Sequence, residues 1–235
     1  MDIGKSITFI FEDPDWLKKV AIGTGLMLLG MIFAVVLIGL VPLIIIMGYT
    51  VVLIKNVIVG VEHPLPEWED WGDLFLRGLK LFLIQLIWAL PLIIVGMGMS
   101  LPAALSENSR LQGFWIALSV FCGCLTFILG IAYALIEPVI TFRFARTDEF
   151  VSAFEFGRIF RLLADNIGNV IIAAIVSAVA GVLLFILGGI VGTLALVIGL
   201  IVTIPASAVL SELIQAHLYG QVGREAEAKA LVSEQ

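Results

Sequence analysis

Long uninterrupted apolar runs, broken by short polar segments, dominate the pattern along this chain. A bilayer core of about 30 Å takes roughly 20 helical residues at 1.5 Å each, and that length sorts the runs. The run from Val20 to Gly60 is about twice as long as one span requires. It therefore predicts two helices joined by a reversal at Gly39-Leu40-Val41-Pro42, where Gly tolerates the turn and Pro suits the first turn of the next helix. Leu81 to Leu105 predicts a third span. The polar loop Ser106-Glu107-Asn108-Ser109-Arg110 leads into a fourth, from about Phe114 to Pro138. From Ile167 to Leu218 the run is again too long for one helix, and Gly188-Gly189 is the expected break.

Each hairpin is preceded by a segment that is amphipathic rather than continuously apolar. In Phe9 to Lys19, Asp13 suits an N-cap and Pro14 the first helical position, with Asp15 complementing the positive helix end. In the second, a helix starting at Pro66 puts Trp68, Trp71, Phe75, Leu79 and Phe82 at spacings of three to four, with Glu67, Asp70, Asp73, Arg77 and Lys80 opposite. In the third, Ser152 and Glu155 have capping-box spacing, after which Ile159, Phe160, Leu163 and Ile167 share a face. Such segments read as helices lying in the cytoplasmic interface, with Trp16, Trp68 and Trp71 as interfacial aromatics; a helix that docks another protein is the alternative. The expected fold is an all-α polytopic membrane protein of six transmembrane helices in three hairpins, each preceded by a cytoplasmic interfacial amphipathic helix. Candidate repeat units are 9–60, 64–142 and 150–220 of a single membrane domain. They rest on pattern, since only Pro42 to Gly60 and Pro205 to Gly223 share a spacing.

Composition agrees with this reading. Of 235 residues 61% are hydrophobic and 14% charged, against about half and a quarter in soluble domains, and mean hydropathy is +1.14. A net charge of −6 argues against a nucleic-acid partner. The basic residues also report orientation. Under six spans Lys5, Lys18, Lys19, Lys55, Arg77, Lys80, Arg143, Arg146, Arg158, Arg161, Arg224 and Lys229 fall on one side and Arg110 on the other. Because cytoplasmic segments are enriched in Lys and Arg, both termini are expected in the cytoplasm. The start, Met-Asp-Ile-Gly-Lys followed by Glu12-Asp13-Pro14-Asp15, lacks the basic, early-apolar pattern of a cleavable signal, so the first membrane helix is expected to stay.

Several motifs together carry a resemblance. They are Asp2-Ile3-Gly4-Lys5, the stretch Phe11-Glu12-Asp13-Pro14-Asp15-Trp16-Leu17-Lys18-Lys19, Gly48-Tyr49, and the stretch Pro64-Leu65-Pro66-Glu67-Trp68-Glu69-Asp70-Trp71-Gly72-Asp73-Leu74-Phe75 followed by Gly78-Leu79-Lys80. With them the chain resembles the prokaryotic membrane proteins catalogued as domain of unknown function 4013. The resemblance implies an integral membrane protein of this segment type. It imports no catalytic residue, cofactor or substrate.

Ionisable side chains inside spans are expensive, so each marks a candidate site. Glu137 is the deepest, about 9 Å of helix before Arg143, and Pro138 leaves the carbonyl four residues earlier without its donor. It reads either as a proton or cation ligand, or as a structural group that makes a hydrogen bond with a neighbouring helix or an ion pair with Lys55, Arg77 or Lys80. On the last span Thr203, Ser207, Ser211 and Gln215 recur every fourth residue. They line a hydrated cavity or join helix to helix, with Glu212 and His217 near the cytoplasmic interface. Ala173, Ser177 and Gly181 form a small-residue packing face.

Enzyme signatures are missing. Two histidines, His63 and His217, cannot build a multi-His metal site. Cys122 and Cys124 point about 200° apart on a helix and read as packing residues. Gly98-Met99-Ser100 lacks the second glycine of a nucleophile elbow, and no glycine loop carries a Lys-Ser/Thr sequel. The expectation is a non-enzymatic membrane component without cofactor or metal. Its expected partners are membrane lipids, another membrane or cytoplasmic protein, or a second copy, with Glu62 to Asp73 as its most individual surface. The alternative is a small-solute or ion permease using Glu137 and the polar face of the last helix. A cavity between those two elements would favour the permease.

Overall fold

The computed structural model describes residues 1–105 and 112–233, which form eight α-helices and the turns between them. In chain order they are α1 (Ile3–Glu12), α2 (Trp16–Ile32), α3 (Leu40–Val59), α4 (Trp71–Leu105), α5 (Gln112–Thr147), α6 (Phe156–Asp165), α7 (Ile167–Leu194) and α8 (Leu200–Ser233). Five of them, within 37–59, 71–99, 113–147, 167–194 and 200–229, are long and apolar enough to cross a membrane. The helix of the predicted first span is shorter: α2 has 17 residues, about 25 Å.

The N-terminal segment is two helices and not one. Asp2 caps α1 by accepting the Lys5 N–H at 2.9 Å. The predicted cap Asp13 instead sits in an elbow between α1 and α2, where its Oδ1 accepts the Asp15 N–H at 2.9 Å and Pro14 denies the helix a donor. The reversal after α2 comes earlier than Gly39-Pro42. Phe33 to Val36 turn the chain, a 3₁₀ turn spans Leu37–Gly39, and Pro42 lies in the first turn of α3 as expected. α3 ends where Gly60 takes a left-handed conformation, φ +80°.

The helix expected from Pro66 begins only at Trp71, and 61–70 is an irregular strap leading straight into α4. α5 likewise runs through Pro138 to Thr147. The capping box at Ser152 and Glu155 does not form. Ser152 belongs to a 3₁₀ turn, Phe150–Phe154, and its hydroxyl donates to the Glu149 carbonyl at 2.7 Å. α6 follows with Ile159 buried and Phe156 and Phe160 exposed. Gly188-Gly189 is no break either. A Cβ on Gly188 would lie 2.2 Å from the Ser207 hydroxyl, so the glycine is where α7 and α8 touch. The chain reverses instead at 195–199, with Leu196 and Val197 at positive φ.

α3 and α8 occupy the centre, with α2, α4, α5 and α7 around them and α1 laid against α8. Half of the apolar window of α3 is inside the protein, whereas none of the α5 window is. Unpartnered apolar surface of that kind is stable in lipid and not in water. Ion pairs gather at the opposite end from the 33–36 and 195–199 turns. There Arg77 meets Asp73 and Asp148, Arg143 meets Glu155, and Arg146 meets Glu227. The predicted loop 106–110 lies outside the described residues. Cys122 and Cys124 are free thiols, with Cys122 packed beside Gly98.

Candidate functional site

Three of the motifs, Phe11 to Lys19, Gly48-Tyr49 and Pro64 to Phe75, meet in one clasp. Lys19, 5% exposed, donates to Asp13 at 2.8 Å and to the Leu65 carbonyl at 3.1 Å, and it pairs with Glu67 at 2.7 Å. Trp68 returns the contact by donating its indole N–H to the Lys19 carbonyl at 2.9 Å. It stacks on Tyr49 at 4.1 Å, and the Tyr49 hydroxyl donates to the Pro66 carbonyl. Pro64, Leu65 and Pro66 are buried. The strap expected to be the protein's most individual surface therefore turns Glu67 and Trp68 to its own chain, while Glu62, His63, Glu69 and Asp70 are exposed. Trp68 is a half-buried clasp residue, Trp16 packs partly buried against the core, and Trp71 is exposed at the start of α4. A similar indole contact pins the 3₁₀ turn, since Trp88 of α4 donates to the Ala153 carbonyl at 2.9 Å.

The second constellation lies among the apolar helices. Glu137 on α5 pairs with none of the cations expected for it. Arg77 and Lys80 are taken by Asp148, and Lys55 lines neither cavity that Glu137 faces. The Gln215 amide of α8 donates to Glu137 at 3.5 Å and to the Tyr219 hydroxyl at 2.7 Å. This carboxyl–amide–phenol group stands between two cavities. A larger, open-sided groove of about 680 Å³ runs between α5, α7 and α8, with Ser177 and Ser211 on its walls. A smaller, partly open cavity of about 230 Å³ lies between α2, α3, α4, α5 and α8, and Thr50, Gln85, Thr141 and Glu212 reach it.

The stripe on α8 thus divides. Ser207 joins helix to helix, donating to the Leu184 carbonyl of α7 at 2.9 Å. Thr203 is buried at its oxygen without a hydrogen-bond partner. Ser211 and Gln215 face the groove, and Glu212, on the other side of α8, faces the smaller cavity. Glu212 is exposed on α8, whereas His217 does not reach the aqueous interface expected for it, because α1 closes over that part of α8. His217 is buried, stacked on Phe9 at 4.2 Å with its Nδ1 3.0 Å from the Ser6 hydroxyl.

Sequence reasoning missed Thr50, Gln85, Thr141 and Tyr219. Two of these carry a usable signal, since Thr141 follows Glu137 and Tyr219 follows Gln215 by four residues, which places each pair on one helix face. Among the described residues no group of three His, Cys, Asp or Glu could hold a metal ion. Chemically, the arrangement offers carboxylates and neutral oxygens, with no Lys, Arg or His lining either cavity.

No curated protein and no solved structure matches the chain. A family model matches residues 31–193, from the end of α2 to the end of α7, and so takes in Thr50, Gln85, Glu137 and Thr141, while Glu212, Gln215 and Tyr219 lie beyond it. That match covers more than half of the 235 residues, and the chain belongs to the family described as protein of unknown function DUF4013.

Proposed function

We propose that this is a non-enzymatic polytopic membrane protein of the small-solute or ion permease class. The observation that carries the reading is the pair of cavities meeting at Glu137, Gln215 and Tyr219. A component that only binds partners would keep those groups packed dry between helices. Lipid contact along α4, α5 and α7 accompanies this reading, and the closed clasp weighs against the strap as a docking surface for another protein. No cofactor is needed.

In this reading α2 with α3, α4 with α5, and α7 with α8 form three hairpins in a prokaryotic cell membrane. α1 and α6 lie in the cytoplasmic interface beside both termini. α2 is the shortest span, but the apolar turn that follows it, with Val35 and Leu37 exposed, lengthens its reach into lipid. The gathering of basic side chains and their ion pairs at one end supports the orientation.

Topology is tested by single cysteines in a Cys122→Ala, Cys124→Ala background. Ser152 is buried, so Val151, which is exposed in the same turn, is the better cytoplasmic reporter. Val151→Cys and Ser109→Cys are expected to react with an impermeant reagent from opposite sides. Labelling of both from one side overturns the six-span arrangement.

Transport is tested in vesicles holding a pH-sensitive dye under an imposed pH gradient, challenged with cationic, neutral and anionic solutes in turn. A solute-dependent pH change is expected with the parent. Glu137→Gln keeps a group that accepts the Gln215 hydrogen bond, so it should insert and accumulate while the signal falls by about tenfold or more. A parent indistinguishable from empty vesicles, or a variant equal to the parent, overturns the permease reading.

A further inference from the structure

We propose that the smaller cavity is a binding site for a small organic cation, a protonated alkylamine, held by Glu137, Glu212 and Thr141. This deepens the permease reading, on which it rests for what the bound cation is used for.

Charge is the first argument. Glu137 of α5 and Glu212 of α8 line the same cavity of about 230 Å³, and none of α2, α3, α4, α5 or α8 brings a basic side chain to it. Of the cationic groups on the flanking helices, Lys19 pairs with Asp13 and Glu67, Arg77 and Lys80 pair with Asp148, and Lys55 does not line the cavity. Glu137 is half-buried among apolar helices and Glu212 is exposed on α8, and a carboxylate drawn into apolar surroundings calls for a counter-charge. Here the protein supplies none, so the cavity is complementary to a cation that enters it.

The second argument is independent of the acids. Thr141 is 3% exposed, lines this cavity, and its Oγ1 has no hydrogen-bond partner. Buried hydroxyls are nearly always paired, and an orphan points to a missing partner. One helical turn beyond Glu137, its oxygen stands where it can accept from an N–H of a ligand already held by the carboxylate.

The third argument selects the kind of cation. A small hard metal ion wants oxygen on all sides, yet the wall facing the acids is Met27, Leu43, Ile46, Met47 and Leu81. Among the described residues no third His, Cys, Asp or Glu joins the two carboxylates. An alkylammonium matches both halves. Its head donates to Glu137, Glu212 and Thr141, and its chain lies on the apolar wall. The open groove between α5, α7 and α8 shares Glu137, Gln215 and Tyr219 with the cavity and gives such an amphipathic molecule an approach from the lipid side.

The experiment is thermal unfolding of the full chain in detergent, titrated with n-butylammonium chloride, sodium chloride and butan-1-ol. A ligand that binds only the folded state raises the melting temperature as it saturates its site. A saturable rise is expected with n-butylammonium alone. Its apparent affinity should fall about tenfold or more in Glu212→Gln and about threefold in Thr141→Val, both variants unfolding like the parent without ligand. If Glu212→Gln fails to fold, the smaller Thr141→Val substitution carries the test. An equal rise with sodium chloride makes this an inorganic-ion site, an equal rise with butan-1-ol makes it merely apolar, and parent-like affinity in the variants removes the assigned residues; each overturns the proposal. Binding of n-butylammonium without uptake of any solute would overturn the permease reading and leave this site standing. Uptake of another solute without n-butylammonium binding would do the reverse.

Discussion

Gly48→Ala and Gly78→Ala, made singly, are each expected to prevent accumulation of correctly folded protein, whereas Gly72→Ala, on the same helix as Gly78, should be harmless. α3 and α4 cross with their backbones in reciprocal contact. A Cβ at Gly48 would lie 1.8 Å from the Leu74 carbonyl oxygen, and a Cβ at Gly78 would lie 1.8 Å from the Ile44 carbonyl oxygen. Both obstacles are helical backbone, which cannot swing aside as a side chain can. One added methyl must therefore part the helices by roughly 1.5–2 Å to reach ordinary contact. Overpacking a side chain costs about 1–3 kcal/mol, and a clash against two fixed backbones belongs at or above the top of that range. The damage would reach the candidate site too, because Thr50 and Gln85 hang from these same two helices. At Gly72 nothing lies within 4 Å of the added atom, so Ala there should be neutral or slightly stabilising. Monodispersity on size exclusion and the melting temperature in detergent report both outcomes. Parent-like behaviour of Gly48→Ala would sink the close crossing.

That crossing shows what could be read from the chain alone. Gly48-Tyr49 and Gly78-Leu79-Lys80 stand out as motifs, but a single sequence does not say that two glycines thirty residues apart face each other. The apolar runs announce membrane helices because hydrocarbon forces every backbone polar group into a helix, leaving length as the only variable. Turns inside a run are less legible. Gly188-Gly189 has the composition of a break, yet Gly188 serves the approach of Ser207 and Gly189 faces open space, while the reversal uses Ala195 to Gly199. Periodicity misled at Trp68, whose spacing from Trp71 and Phe75 suits a helix. The ring is instead claimed by Tyr49 and the Lys19 carbonyl, and Pro64 and Pro66 keep the strap extended. At the site, Glu137 and Gln215 were legible as costly groups in apolar surroundings. His217 was placed too near the interface, because its depth is decided by Ser6 and Phe9 of α1 covering the end of α8, a tertiary contact with no local signature.

Lys19→Met should destabilise the protein by about 3–5 kcal/mol, the cost of removing one partner of a buried ion pair. Asp13, 3% exposed, would keep its charge with the Asp15 N–H still donating to it but no cation beside it. Glu67 is exposed and can turn to water, so the penalty falls mainly on Asp13. The double variant Asp13→Asn with Lys19→Met should recover a large part of the loss, since an amide tolerates burial without a counter-charge far better than a carboxylate. Simple additivity in that cycle would mean that the two side chains do not interact. Lys19 precedes the apolar stretch that begins at Val20, and its pH dependence has a definite sign. Burial works to lower its pKa, but the hydrogen bonds and charges of Asp13 and Glu67 outweigh that effect and hold it above the ordinary lysine value. A raised folded-state pKa gives stability that is complete below the unfolded value, about 10.4, and is lost as pH rises through the folded one. The clasp should therefore hold across neutral pH and loosen only in strong alkali. Because Lys19 also holds the Leu65 carbonyl and carries the oxygen that Trp68 uses, its loss should free the strap. Glu67 and Glu69 should then become cleavable by a glutamate-specific protease at pH 7 in Lys19→Met, as they should in the parent only at alkaline pH.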